Sequence, residues 1–314
     1  MSRGVTVRPL LANDLDVADR VMRLAFGTIR GLPDPGAAFG DAQYVRPRFL
    51  AAPDCAWAAE VDGEVVGSVF AARWGTFGFL GPLTIRPDLW DRGIGSRLLA
   101  PVLDAFDRWE LTQAGLFTFG NSPKHVGLYQ KLGFWPRFST AVTAKQVTGT
   151  AGAGATFSHV PAAERAGTLE AVRALTDAVF PGLDLSGEVL AVDAQRLGDT
   201  LLRHDESGLA GVAVCHCGAG SEAGSGVCYV KFAAVRPGAE AAQRFEELLD
   251  ACEAFAAGAA LGRLVAGVNT GRLDAYRRLL GRGHRIDSIG LSMRLRHDGP
   301  DFDGPGHYVI DDLR

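Results

Sequence analysis

Leu83-Thr84-Ile85-Arg86-Pro87-Asp88-Leu89-Trp90-Asp91-Arg92-Gly93-Ile94-Gly95-Ser96-Arg97-Leu98-Leu99 decides how the 314-residue chain is read. The stretch ends a β-strand, makes a turn rich in backbone donors and opens an amphipathic helix, with apolar residues recurring at 98, 99, 102, 103 and 106. Gly93 and Gly95 stand where the helix begins, where a Cβ would keep a ligand from the backbone. N–H groups without helical partners, the positive end of the dipole behind them, and Arg92 and Arg97 beside them make a cradle for a pyrophosphate.

Around this cradle the composition is that of an ordinary globular protein. Lys and Arg number 32 against 36 Asp and Glu, a formal charge of −4, so there is no basic footprint for nucleic acid. Five cysteines, Cys55, Cys215, Cys217, Cys228 and Cys252, lack framework spacing and read as reduced thiols. Alternation puts Cys215 and Cys217 on one face of a strand, where buried core thiols explain them better than a metal site; no metal is expected. The N-terminus lacks the apolar core of a signal peptide, and the longest apolar run falls well short of the ~20 residues of a membrane span. A cytoplasmic protein without membrane contact, monomeric or homodimeric, is the expectation.

Upstream of the cradle, Val5–Pro9 reads as a strand and Asn13 as the N-cap of a helix carrying Val17, Val21, Leu24 and Ala25. Gly27–Gly40 reads as a mobile loop of the kind that contacts substrates. Cys55–Val61 and Glu64–Arg73 are strands joined by Asp62-Gly63, and Phe77–Arg86 follows, with Gly81-Pro82 marking a bulge or a splayed neighbour. Downstream come a helix to about Trp109 that Pro101 is expected to kink or loosen, a strand at Gly115–Phe119, a helix from Ser122-Pro123 to Leu132 and a strand through Phe138–Val147.

Residues 149–155, rich in glycine and alanine, read as a linker between a domain at 1–148 and another at 156–296, with 297–314 as a solvated tail rather than one docked near the cleft. The second half predicts a strand at Thr156–Pro161, a helix at Ala162–Phe180, strands at Leu209–Cys217 and Val227–Val235, and a helix at Ala239–Ala257. A strand at Arg263–Val268, a helix at Arg272–Leu280 and a strand at Ile286–Leu295 close it. The order of elements repeats, so a duplicated domain is expected rather than one large sheet.

On Trp90-Asp91-Arg92-Gly93-Ile94-Gly95 and the later Asn121 with Leu128-Tyr129-Gln130-Lys131-Leu132-Gly133-Phe134, the first half resembles the GCN5-related N-acetyltransferase (GNAT) superfamily. The family's turn is written Arg/Gln-x-x-Gly-x-Gly/Ala; Trp90 departs from it. A Rossmann site would want a third glycine and a first strand before the turn, and neither is present. The resemblance implies tandem α/β folds, each a mixed, mostly antiparallel sheet with a splayed central parallel pair, flanked by helices. It implies acetyl-CoA as donor and direct attack by a primary amine of a small molecule. Leu83, Thr84 and Ile85 would pair with the pantetheine arm through their backbone, and Asp91, Arg92, Gly93, Ile94, Gly95, Ser96 and Arg97 would hold the pyrophosphate. Asn121 would contact the pantetheine, and Tyr129 would protonate the departing thiolate. The Gly81–Ile85 stretch carries no acidic residue, so the base is left to Glu60, His125 or a water. Phe26, Asp34, Asp41, Tyr44 and Trp74 are candidates for the acceptor pocket. A non-catalytic acyl-CoA sensor and a protein-lysine acetyltransferase are the alternative functions.

The two halves superpose in sequence at Ile85-Arg86-Pro87 and Val235-Arg236-Pro237, an offset of 236 − 86 = 150 that also carries Leu98-Leu99 onto Leu248-Leu249. The same offset turns Gly93-Ile94-Gly95 into Gln243-Arg244-Phe245, with side chains where a phosphate would touch backbone. The second half is therefore expected to have lost cofactor binding, to cover the sheet edge of the first and to help shape the acceptor pocket.

Overall fold

Left-handed φ values at Asp62 (53°) and Gly63 (82°) close the first two-residue hairpin of the chain, as the Asp-Gly pair requires. The computed structural model describes residues 4–152, 154–296 and 298–313; Ala153 of the expected linker and His297 and Arg314 of the expected tail lie outside the described residues. The first half runs β1 (Val5–Pro9), α1 (Leu15–Ile29), α2 (Val45–Ala51), β2 (Ala56–Val61), β3 (Glu64–Trp74), β4 (Phe77–Ile85), α3 (Ile94–Arg108), β5 (Gln113–Thr118), α4 (Pro123–Gln130) and β6 (Trp135–Gln146). The second runs α5 (Arg165–Val179), α6 (Ser186–Gln195), β7 (Gly198–Asp205), β8 (Gly208–Gly218), β9 (Gly224–Val235), α7 (Ala241–Gly258), β10 (Arg263–Asn269), α8 (Leu273–Gly281), β11 (Arg285–Arg294) and β12 (Val309–Ile310).

Helical periodicity decides which faces are buried. α3 covers the sheet with Leu98, Leu99, Val102, Ala105 and Phe106, and α1 with Leu15, Ala18, Val21, Met22 and Ala25. α3 runs as one helix from Ile94 to Arg108 with Pro101 inside it.

Duplication and a single sheet coexist, which corrects the expectation that one excludes the other. The described strands form one sheet in the order β1-β2-β3-β4-β5-β11-β6-β10-β9-β8-β7, with β12 beside β9. The parallel pair β4–β5 runs from Phe77↔Gln113 to Leu80↔Leu116, and β9–β10 from Val227↔Arg263 to Val230↔Ala266, which is the same register displaced by the sequence offset. The halves exchange the strand that directly follows the last helix of each, β6 after α4 and β11 after α8. β11 lies against β5 (Leu291↔Thr118), and β6 against β10 (Val268↔Ala141). The exchange gives each otherwise bare strand edge a partner.

Other differences have local causes. Residues 157–159 form a 3₁₀ turn, and Thr156 makes only a bridge to Leu201, so the second half lacks the expected opening strand. α6 and β7 occupy a stretch whose weak periodicity had assigned it nothing. Residues 27–40 are tied down: Arg23 donates to the carbonyls of Ala38, Gly40 and Ala42 at 2.7–2.8 Å, and a Cβ on Gly27 would meet the Pro35 carbonyl oxygen at 2.2 Å.

The C-terminal segment is not a solvated tail. Phe302, Asp303, Val309, Ile310 and Leu313 are buried. Phe302 packs its ring 5.2 Å from Phe77 and 5.5 Å from Phe180, so a residue of the tail sits in the core between the halves. Asp303 accepts from two buried arginines, Arg272 at 2.8 Å and Arg294 at 2.5 Å, and Arg272 also pairs with Asp311 at 2.7 Å. Clustered acidic residues in the tail read as solvated because their buried cationic partners are distant in sequence.

Candidate active site

The cleft starts where β4 and β5 part. Their ladder ends at Leu80↔Leu116, while Leu83, Thr84 and Ile85 stay paired to β3 through Val69, Ser68 and Gly67. A register irregularity between Val69 and Ala71, opposite Gly81-Pro82, bends β4 away. Arg48 of α2 holds this bend by donating to the Gly81 carbonyl at 2.5 Å while pairing with Glu222 at 2.9 Å. Over Leu83–Ile85 the edge of β4 facing the cleft is left unpaired by β5, and a polar extended ligand can add there as a further strand.

Past β4, Asp91 (φ 65°) and Gly93 (φ 74°) adopt left-handed conformations, and α3 begins with no side-chain cap on its first N–H groups. A Cβ on Gly93 would meet nothing within 4 Å, so the cradle is open; one on Gly95 would lie 3.3 Å from Ile85 Cδ1 and 3.4 Å from Leu128 Cδ2, where the groove narrows. Uncapped donors, a glycine-lined approach and the helix dipole fit a pyrophosphate. Trp90, the departure from the family pattern, donates through Nε1 to the Ile85 carbonyl at 2.8 Å. It thereby ties the turn to the strand, and it removes that carbonyl from the acceptors available to a ligand.

A single cavity of about 790 Å³ brings together Leu83, Thr84, Ile85 and Asp91 with Gly93, Ile94, Gly95, Ser96 and Tyr129. Arg92, Arg97 and Asn121 are not on its wall. Arg97 donates to the Val5 carbonyl at 3.2 Å, Arg92 to that of Asp88 at 3.4 Å, and Asn121 is exposed in the turn before α4. Arg30, Lys124 and Lys131 are the cations among the described lining residues, and Lys124 stands at the turn, 2.8 Å from Asp91 and 5.1 Å from the centre of the Trp90 ring. Its position in the first turn of the helix opened by Ser122-Pro123 was the available signal.

Tyr129 and His125, one turn apart on α4, both face the cavity. Burial raises the Tyr129 phenol well above its ordinary value of 10, and its hydroxyl makes no hydrogen bond to the described residues. Burial, and secondarily the Lys124 ammonium, lower His125 below 6.5, leaving it neutral near pH 7; its Nδ1 lies 2.6 Å from Ser122 Oγ. Glu60 is not on the wall and pairs with Arg8 at 2.9 Å.

Of the pocket candidates, Phe26 and Tyr44 line the cavity. Asp34 caps a 3₁₀ turn through Gly36 N, Asp41 binds Ser225, and Trp74 donates to Glu188 at 3.3 Å within the core. The second half adds Ser288, Ile289, Gly290 and Leu313 to the wall. Gly290 makes room for the Phe117 ring, which a Cβ there would meet at 2.2 Å. Among the described residues no cluster of three or more His, Cys, Asp or Glu could hold a metal ion, and no helix is long and apolar enough to cross a membrane.

In the second half the corresponding groove is filled by the chain itself. β12 pairs Ile310 with Ala233 and Val309 with Ala234, the positions that the offset of 150 places on Leu83 and Thr84. Phe245, the counterpart of Gly95, is fully buried with its ring 5.4 Å from Tyr308.

Residues 28–134 match the model of the acetyltransferase (GNAT) family. No curated protein matches the chain. Among solved structures it is similar to a provisionally named acetyltransferase from Pyrococcus horikoshii, at 14% identity and TM-score 0.66 over 97% of this chain and 93% of that one. It is also similar to a GCN5-related N-acetyltransferase from Sphaerobacter thermophilus, at 14% and 0.56 over 96% and 98%. A third likeness is to a GCN5-related N-acetyltransferase from Kribbella flavida, at 16% and 0.52 over 93% and 71%. At these identities the likeness is one of fold, and it extends over both halves. The part of this chain that belongs to the acetyltransferase (GNAT) family, whose acyl donor is acetyl-CoA, is therefore residues 28–134, which carry the parted strands, the glycine turn and Tyr129.

Proposed function

We propose that the protein is an acetyl-CoA-dependent N-acetyltransferase acting on a primary amine of a small molecule. The observation that carries this is the joining, in one cavity, of the β4 edge that β5 leaves unpaired, the uncapped start of α3 and Tyr129. Acetyl-CoA supplies an acetyl thioester, whose carbonyl carbon bonds the amine nitrogen as the C–S bond breaks. The backbone groups of Leu83 and the N–H of Ile85, which face away from β3, align the donor, the N–H groups from Gly93 to Ser96 with Lys124 hold its phosphates, and alignment supplies much of the rate. Tyr129, kept protonated by burial, gives its proton to the leaving sulfur. Neutral His125 takes the proton lost by the amine, directly or through a water.

The acceptor end, lined by α1, Phe39 and β11, has no carboxylate of its own among the described lining residues, which favours a small molecule over a lysine on a protein surface docked in an acidic groove. We assign catalysis to residues 1–148 and a supporting role without donor binding to 156–296; the filled groove beside β9 and the Gln243-Arg244-Phe245 turn support that division. Acetyl-CoA binding by calorimetry, with thiol release measured over an amine panel, tests the reading. Binding with amine-dependent release is expected, and binding without release on any amine would make the protein an acyl-CoA sensor.

A further inference from the structure

The acceptor end of the cavity has a composition that selects among amines. Phe119, Phe26, Phe39 and Tyr44 form a continuous arc of rings, with successive centroids 5.9, 5.3 and 5.1 Å apart. Apolar side chains of Met22 and Ile289 also face this space. Asp91 is the sole carboxylate among the described lining residues, and it is paired with Lys124 beside the cradle. Glu222, whose partner Arg48 reaches the Gly81 carbonyl of the wall, is not itself on the wall and is neutralised by Arg48 at 2.9 Å and Lys231 at 3.0 Å. A polyamine or a lysine-rich peptide brings several charges near pKa ~10.4 and would lose their hydration here without a compensating carboxylate. At the same end Arg30 lines the cavity, its guanidinium 5.5 Å from the centre of the Phe39 ring and without a hydrogen bond or ion pair to the described residues. A planar cation above an aromatic wall suits a carboxylate whose apolar body lies on that wall.

Resting on the acetyltransferase reading, we infer that the acceptor is an amino-acid-type amine, a single primary amine on an apolar, aromatic-sized body that also bears a carboxylate. The body lies along the Phe26–Phe39–Tyr44 arc, the carboxylate faces Arg30, and the amine points toward His125 and Tyr129. The uncharged arc also favours the neutral form of the amine, which is the form that reacts.

L-phenylalanine, phenethylamine, spermidine and a lysine-containing peptide test this in two ways, by thermal shift without donor and by thiol release with acetyl-CoA. L-phenylalanine is expected to raise the melting temperature and to show kcat/KM at least about tenfold above spermidine and the peptide, one such factor being 1.4 kcal/mol. Arg30→Gln is expected to shrink the phenylalanine-to-phenethylamine ratio of kcat/KM by about tenfold, the equivalent of one charge-assisted hydrogen bond. Acetylation of spermidine or the peptide, with L-phenylalanine neither binding nor reacting, would overturn the substrate class and leave the transferase standing. An Arg30→Gln ratio equal to that of the unmodified protein would overturn the carboxylate contact. Binding of L-phenylalanine with no acetylation of any amine would overturn the transferase and leave the pocket's selectivity standing.

Discussion

The indole Nε1 of Trp90 donates to the Ile85 carbonyl oxygen at 2.8 Å, so the residue that breaks the family's turn pattern is the one that fastens this turn to its strand. The bond fixes the distance between the β4 edge and the start of α3, the two surfaces that a donor must touch together. Trp90→Phe keeps an aromatic side chain and loses the bond. Acetyl-CoA should then bind about fivefold more weakly, corresponding to roughly 1 kcal/mol for one hydrogen bond, as read by calorimetry. An unchanged dissociation constant would detach Trp90 from the site.

Tyr129→Phe should lower kcat by roughly a hundredfold with little change in acetyl-CoA affinity, because the ring stays in the core and only the proton is lost. Rapid-quench or steady-state kinetics with a fixed amine would show it. A variant with full turnover would end the acid assignment.

The acid limb of kcat/KM should lie below pH 6.5. Burial and Lys124 lower His125, so it stays neutral and able to accept a proton below its ordinary value, and activity is lost only as pH falls through the depressed value. His125→Asn should remove that limb and lower the rate, whereas an identical profile would reassign the base to water.

Much of the cleft at which we propose the donor binds was legible because it is built from backbone and glycine, and both leave local marks in sequence. Gly93, Gly95 and the bend at Gly81-Pro82 needed only their neighbours to be read. Arg97 was misread because its partner, the Val5 carbonyl, is brought beside it by β1, far away in the chain. Lys124 was missed for the converse reason: it faces the cradle from another helix. The offset of 150 gave the duplication and the register of both parallel pairs, but not the exchange of β6 and β11, because periodicity describes which face a strand buries and not which strand lies beside it.

The tail provides a stability test. Phe302 is fully buried against Phe77 and Phe180, and Phe302→Ala should destabilise the protein by about 3–5 kcal/mol in urea unfolding. A solvated tail would give a change near zero.

His284 adds a pH test. Thr143 Oγ1 donates to the Ala266 carbonyl at 2.9 Å, so Nδ1–H of His284 donates to Thr143 at 3.1 Å and the ring is held neutral, its pKa lowered to about 4 chiefly by burial. The unfolded chain takes up this proton near pH 6.5 and the folded chain only near 4. Stability from this residue is therefore complete above 6.5 and falls by roughly 3 kcal/mol as pH drops to 4. His284→Gln should flatten the pH dependence of unfolding over that interval, and an equal slope in both proteins would contradict the buried neutral ring.

The central claim is that one half holds the donor and the other has closed its groove with the chain's own C-terminal strand. Titration calorimetry of acetyl-CoA into the full chain measures it directly. One site per chain is predicted, lost in Gly95→Glu, whose side chain enters the groove between Ile85 and Leu128, and weakened in the exposed Lys124→Glu variant, with the melting temperature of the latter unchanged. Two sites per chain, or undiminished binding by a folded Gly95→Glu protein, would contradict it.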